Sequence, residues 1–262
     1  MNRRTAAGIN RDVNLIPYIE IGTEPGSGMS GPSPFRAAAA RFKVRQTRVA
    51  GVDAALAGSA SWMSSNPKEC DAVSTALQRL IDKDLIRDVL LRYARGVDRR
   101  DWELVRAAFF EDARDDHADF EGTRDAFIAW VRQRHDAPSL LKSTHFLGNC
   151  LVEFASDTVA AVETYFIARL ELTPDAGAHR SMLAAQHAGS AQNSRVQVSG
   201  RYVDRFEKRN EDWRIAQRRT VFDAIESQLV DAADNSLDPA WTLGRRDPHD
   251  PVFAARAEIG LI

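Results

Sequence analysis

The sequence predicts an α+β domain, with helices toward its N-terminal side and antiparallel strands toward its C-terminal side. Two observations predict this. From Leu77 to Val97, apolar residues recur at three- and four-residue steps, the period of a helix buried along one side. After Pro138 the period changes to two, as in half-buried strands. Helices first and strands after is the pattern of segregated layers, not of alternating βαβ units.

The elements follow in order. Leu77, Leu80, Ile81, Leu85, Val89, Tyr93 and Val97 form the stripe of the first helix, widened by Ile86 and Leu90. Gly96 weakens that helix near its end. Asp101 is a good N-cap for a second helix, WELVRAAFF, because its carboxylate can accept from free backbone N–H groups. ARDDHADFEG reads as one short strand ended by Gly122. Thr123 caps a third helix, RDAFIAWVRQRH, which Pro138 stops. LLKSTHFLGNCLVEF and TVAAVETYFIARLEL form a hairpin turned at Asp157. Residues 174–195 are small and polar, a long loop or lid with a helical turn at Met182–Ala185. VQVSGRYVDRFEKR and WRIAQRRTVFDAIE form a second hairpin, turned at Asn210–Asp212.

Composition sets the flanks. Residues 1–74 are rich in Gly, Ser, Pro and Ala, too poor in apolar surface to offset chain entropy. They read as a disordered extension with one short helix near Phe35–Val49, and Met63 is a candidate start of the native chain. Residues 75–228 are the folded domain, and 229–262, with Pro239, Pro248 and Pro251, an extended tail. A net charge of −2 without a basic tract argues against a nucleic-acid partner. No apolar run approaches the roughly 20 residues of a spanning helix, and the N-terminus lacks an apolar signal core, so no membrane association is expected. Two cysteines, Cys70 and Cys150, make no disulfide framework, and a reducing, cytoplasmic compartment fits them. Cys150 reads as a small buried hydrophobe.

Three segments carry a resemblance. YARGVDRRDW resembles the helix of scytalone dehydratases that ends in an aspartate followed shortly by Asp–Trp. STHFLGN resembles the strand carrying their catalytic histidine, and SGRYVDRFEKRNEDWRIAQRR the final hairpin of SnoaL-like proteins. Over Leu77–Glu226 the chain thus resembles the SnoaL-like, scytalone dehydratase-like branch of the NTF2-like superfamily. The resemblance implies a cone-shaped barrel, a curved antiparallel sheet wrapped over three N-terminal helices. It implies a cofactor-independent lyase or isomerase, first of all a dehydratase, for a small hydrophobic cyclic carbonyl compound. It also implies a homo-oligomer, no cofactor and no metal. Superfamily members include polyketide cyclases and non-catalytic modules, so a cyclase or hydrolase and a binding or scaffold module are the alternatives.

Each candidate has a functional and an ordinary reading. His145 lies on a strand face with Leu147, Asn149 and Leu151. It is a general base, since imidazole titrates near working pH, or a satisfied core histidine. Asp98 stands near a helix C-terminus, where the dipole disfavours a carboxylate. It orients the imidazole, or is an exposed partner of Arg99 or Arg100. Tyr93 polarises a substrate oxygen or packs in the core. The resemblance makes Asp98, His145 and Tyr93 the catalytic set. His117, Asn149 and Arg218 are the substrate-binding candidates, although His117 reads equally well as solvent-facing. Arg218 and Arg219 point to opposite faces; Arg201 and Asp204 read as an outer ion pair; His179 and His187 read as solvated. The DDH run at Asp115–His117 matches no metal-ligand spacing.

Overall fold

The structure is a computed structural model that describes residues 67–231 and 237–261, all within one compact unit. The expectations for residues 1–66, including the Phe35–Val49 helix and the Met63 start, lie outside the described residues. Among the described residues no helix is long and apolar enough to cross a membrane.

Helix α1 spans Pro67–Arg99, starting well before the apolar stripe and inside the segment expected to lack structure. A proline at the first helical position costs no hydrogen bond. The stripe is buried only in its second half. Ile86, Val89, Leu90, Tyr93 and Val97 join the core, whereas Leu77, Leu80, Ile81 and Leu85 stay 40–65% exposed. The helix ends in a Schellman motif. Arg100 takes a left-handed φ of 57°, Asp101 N–H donates to the Gly96 carbonyl at 2.8 Å, and Arg100 N–H to that of Val97 at 3.4 Å. A Cβ on Gly96 would lie 2.7 Å from Val105 Cγ2, so this glycine is there for the close approach of the next helix. Asp101 then caps α2 (Trp102–Ala107), accepting from Leu104 N–H.

The expected second helix is shortened, because Phe109 and Phe110 belong to a strand. The expected single strand is a hairpin, β1 (Phe109–His117) and β2 (Phe120–Thr123). Thr123 caps α3 (Arg124–His135) as read from the sequence. Then come β3 (Leu140–Phe154), β4 (Val159–Leu172), two 3-10 turns at Gly177–Met182 and Ala185–His187, β5 (Asn193–Arg209) and β6 (Asp212–Val230). Asn210 and Glu211, both at positive φ, make the two-residue turn between β5 and β6.

The six strands form one curved, open sheet in the order β2-β1-β6-β5-β4-β3. Three expectations are corrected here. The sheet does not close into a barrel, since β2 and β3 remain edges. It is mixed, because β1 pairs parallel to β6. Two strands, not the single one expected, precede the third helix. Helix α1 packs on β3 and β6, and α3 on β1 and β2. Between helices and sheet lies the core, around Tyr93, Phe109, Phe127, Tyr202 and Phe206.

The tail is more than extended chain. Asp250 caps a further helix, α4 (Pro251–Glu258). Asp250 also pairs with Arg99 at 3.2 Å, and Arg246 reaches the end of α1.

Candidate active site

Asp98 stands in the last turn of α1, 6% exposed. One carboxylate oxygen accepts from His145 Nδ1 at 2.7 Å and from Ser143 Oγ at 3.1 Å. The other accepts from the His145 backbone N–H at 2.8 Å. Ser143 and His145 are two residues apart on β3 and so share its inner face. The dipole cost of an acid at a helix C-terminus is offset by these three donors. A carboxylate bonded to Nδ1 fixes the proton there and leaves the Nε2 lone pair free. Asp98 itself does not line the cavity; it stands behind the imidazole.

His145 opens on a cavity of 270 Å³. Its apolar wall includes Val97, Trp130, Phe166, Leu170 and Phe222. Four of the six histidines line it: His117, His135, His145 and His179. Tyr93 is also on the wall, 2% exposed, its ring edge-on to Phe109 and Tyr202 at 5.8 Å. Burial pushes its phenol up, against the pull of Arg218, so it stays a neutral O–H donor. At one side of the cavity Arg134 pairs with Asp119 at 3.0 Å and lies 3.9 Å over the Trp130 ring.

His117 turns inward. Its ring sits among Phe127, Trp130 and Phe222 at 5.4–5.7 Å, and Nδ1 is 3.0 Å from Thr220 Oγ1. Burial, with the Arg218 charge second, holds it down to about 3. His179, expected in solvent, is 2% exposed. It arrives on the 3-10 turn of the 173–192 loop, and burial with the Arg134 charge holds it down to about 4. His187 is likewise not free in solvent, since Nδ1 lies 2.9 Å from Ser227 Oγ. His135, overlooked in the sequence, closes α3 and is held well below the usual imidazole range by burial first and neighbouring positive charge second. Its setting in a basic helix end, RQRH, gave no signal.

Asn149 is not brought to the cavity. The β3–β4 register shifts between Leu147, opposite Phe166, and Cys150, opposite Thr164. This bulge at Gly148–Asn149 inverts the alternation, so Ser143, His145 and Leu147 face in, and after it Cys150, Val152 and Phe154 do. Asn149 and Leu151 are therefore exposed. Cys150 is half-buried and accepts from Thr164 Oγ1 at 3.5 Å.

Arg218 faces inward but is fully enclosed and absent from the cavity wall. It grips Asp204 with two bonds of 2.8 and 2.7 Å, and its guanidinium carbon lies 4.4 Å over the Tyr93 ring and 4.0 Å over that of Tyr202. The expected Arg201–Asp204 pair is thus replaced: Arg201 bonds Glu163 and Asp223 on the outside. The parallel pairing sets Asp115 opposite Arg218. Both Asp115 oxygens and Arg218 Nη1 are buried without hydrogen-bond partners, and burial pushes Asp115 up to about 7. Arg219 pairs with Asp116 on the opposite face. Among the described residues no three His, Cys, Asp or Glu side chains converge on a metal position.

The model of the SnoaL-like domain family matches residues 78–219. A candidate scytalone dehydratase of Novosphingobium aromaticivorans is similar in structure at 19% identity and TM-score 0.47, over 62% of this chain and 99% of that one. A hexachlorocyclohexane dehydrochlorinase of Novosphingobium barchaimii is similar at 16% identity and TM-score 0.49, over 63% and 99%. Among curated proteins none matches.

Proposed function

This chain belongs to the SnoaL-like domain family, whose model covers more than half of it, and we propose that it is a cofactor-independent lyase or isomerase, first of all a dehydratase. Its substrate is a small hydrophobic ring compound bearing a carbonyl group.

The observation that carries this reading is the 2.7 Å contact between Asp98 and His145 at the wall of a largely apolar cavity. Nε2 of His145 takes a proton from carbon α to the carbonyl. The C–H electron pair becomes the new C=C bond, and the hydroxyl group on the β carbon leaves with its bonding pair. The imidazolium returns the proton to that oxygen, and the product is water plus the conjugated carbonyl. Asp98 stabilises the imidazolium without being protonated. Tyr93 donates to the carbonyl oxygen as charge develops on it. Proton relocation without departure of a group uses the same parts. A merely ligand-binding module has no need of an acid–imidazole contact whose free nitrogen faces the ligand space.

Mass spectrometry of ring ketones incubated with the protein in deuterated water tests this. Wild type is expected to place deuterium at the α carbon, and His145→Ala to abolish exchange while still binding the ketone. Equal exchange by both proteins refutes the role of His145.

A further inference from the structure

Resting on that reading, we propose that His135 is a second catalytic residue of the cavity: a neutral N–H donor, locked by Arg246 of the C-terminal tail, that holds the substrate oxygen opposite the His145 base.

The argument starts at the end of α1. The Asp98 carbonyl is one of the four that a helix C-terminus leaves without a helical partner. Arg246 Nε donates to it at 3.3 Å, and Nη1 donates to the Leu140 carbonyl at 3.0 Å. Two backbone acceptors thus fix the guanidinium plane. Its remaining arm, Nη2, lies 3.1 Å from Nδ1 of His135. A guanidinium has donors only. Nδ1 of His135 must therefore accept, and the single proton of the neutral ring is on Nε2.

Among the described residues nothing bonds that Nε2, and the ring lines the cavity. Trp102 stands edge-on to it at 6.4 Å, and His179 at 6.3 Å. Burial is what most opposes a charge on the ring, and His145, Arg246, His179 and His117 act in the same direction. Only Arg246 among them carries a permanent charge, 3.1 Å from Nδ1, and its repulsion adds to the cost of burying a second proton. The ring stays neutral.

The His145 ring is 6.1 Å away, centroid to centroid, and tilted by 31°. Its proton is held on Nδ1 by Asp98, so its Nε2 is a bare lone pair. The two rings are thus set in opposite tautomers, one by a carboxylate and one by a guanidinium. One Nε2 accepts a proton, and the other offers one as a hydrogen bond. A substrate between them gives its C–H to His145 and its carbonyl or departing oxygen to His135. Arg246 is the positioning residue of this arrangement, and the tail is part of the site.

Long-range proton–nitrogen NMR of the full chain labelled in its histidine rings decides the assignment without turnover. His135 is expected as the Nε2–H form, not titrating between about pH 5 and about pH 8, and His145 as Nδ1–H. In Arg246→Gln, His135 is expected to mix tautomers. Naphthol, whose oxygen resembles that of an enolate, is expected to move the His135 Nε2 signal. His135→Phe should weaken naphthol binding by about 10-fold or more, and His135→Gln, which keeps an N–H donor, by less. A wild-type His135 carrying its proton on Nδ1, titrating in that range, or keeping its Nε2 signal unmoved by naphthol overturns the proposal. The predicted tautomers in a protein that never exchanges deuterium sink the proposed function alone; an exchanging enzyme with the wrong tautomer sinks the role of His135 alone.

Discussion

At the scale of residues, one carboxylate does two jobs. Asp98 binds both the ring nitrogen and the backbone N–H of His145, so it sets the tautomer and also ties the strand to the end of α1. An amide in its place keeps the shape and loses the charge. Asp98→Asn is expected to lower turnover by about 10²- to 10⁴-fold with little change in substrate affinity, as measured by single-turnover kinetics. A loss of affinity with unchanged turnover would speak for a structural role only. Below the cavity, Arg218 and Asp204 form a second ionic contact, fully enclosed. Removing either partner would strand a buried charge, a loss that typically costs about 3–5 kcal/mol. Its position under Tyr93 and Tyr202 makes it the floor that holds the aromatic wall in place, not a substrate contact.

At the scale of elements, irregularities position the site more than regular segments do. The bulge at Gly148–Asn149 turns β3 over, so that one strand presents Ser143 and His145 to α1 and, farther along, Val152 to the core. The register also shifts on β5–β6, between Ser199 and Gly200. A Cβ on Gly200 would stand 2.1 Å from the Val221 carbonyl oxygen and 3.1 Å from the Phe166 ring. Neither the paired backbone nor the stacked ring, 4.6 Å from Tyr202, can withdraw cheaply. Gly200→Ala is therefore expected to destabilise the fold by about 1–3 kcal/mol, read as a lower urea midpoint with unchanged slope. An unchanged midpoint would mean the sheet relaxes there. The 173–192 loop and the tail act as elements too. The loop is tied down where Ser227 of β6 accepts from Ala184 N–H and contacts His187, and it delivers His179; the tail delivers Arg246.

At the scale of the whole molecule, buried ionisable groups set the pH range of stability. His117, His135 and His179 all have folded values below the ordinary 6.5. The unfolded chain takes up protons that the folded one refuses. Their stabilisation is complete above the ordinary value and is lost as pH falls toward the folded values of about 4 for His179 and about 3 for His117. Asp115 works in the opposite sense. Its folded value of about 7 exceeds the ordinary 3.8, so its stabilisation is complete below 3.8 and is lost as pH rises through 7. Each such group contributes at most roughly 1.4 kcal/mol per pH unit inside its window. Three histidines oppose two aspartates, Asp115 and Asp204, whose carboxyl burial also pushes up; with the histidines in the majority, the melting temperature is expected to fall between about pH 7 and about pH 5. Asp115→Asn removes one opposing contribution and should steepen that fall. Calorimetry at the two pH values checks both; a wild type equally stable at each would contradict the burial of the histidines.

Much of this molecule was legible one segment at a time. The helical period of Leu77–Val97, the caps at Asp101 and Thr123 and the two long hairpins follow from neighbours in the chain, whereas the Asp98–His145 pair followed only from the family resemblance of two separate segments. Backbone periodicity and capping are local properties, so the sequence states them directly. Tertiary structure alone decided the rest. The parallel β1–β6 pairing set Asp115 against Arg218, and the bulge turned Asn149 to solvent. A helix end and a loop, far apart in the chain, brought His135 and His179 to one hollow, and the tail set Arg246 against His135. None of these has a local signature, because each exists only when distant backbone is paired and closed, and the energy that selects it comes from burial shared among segments.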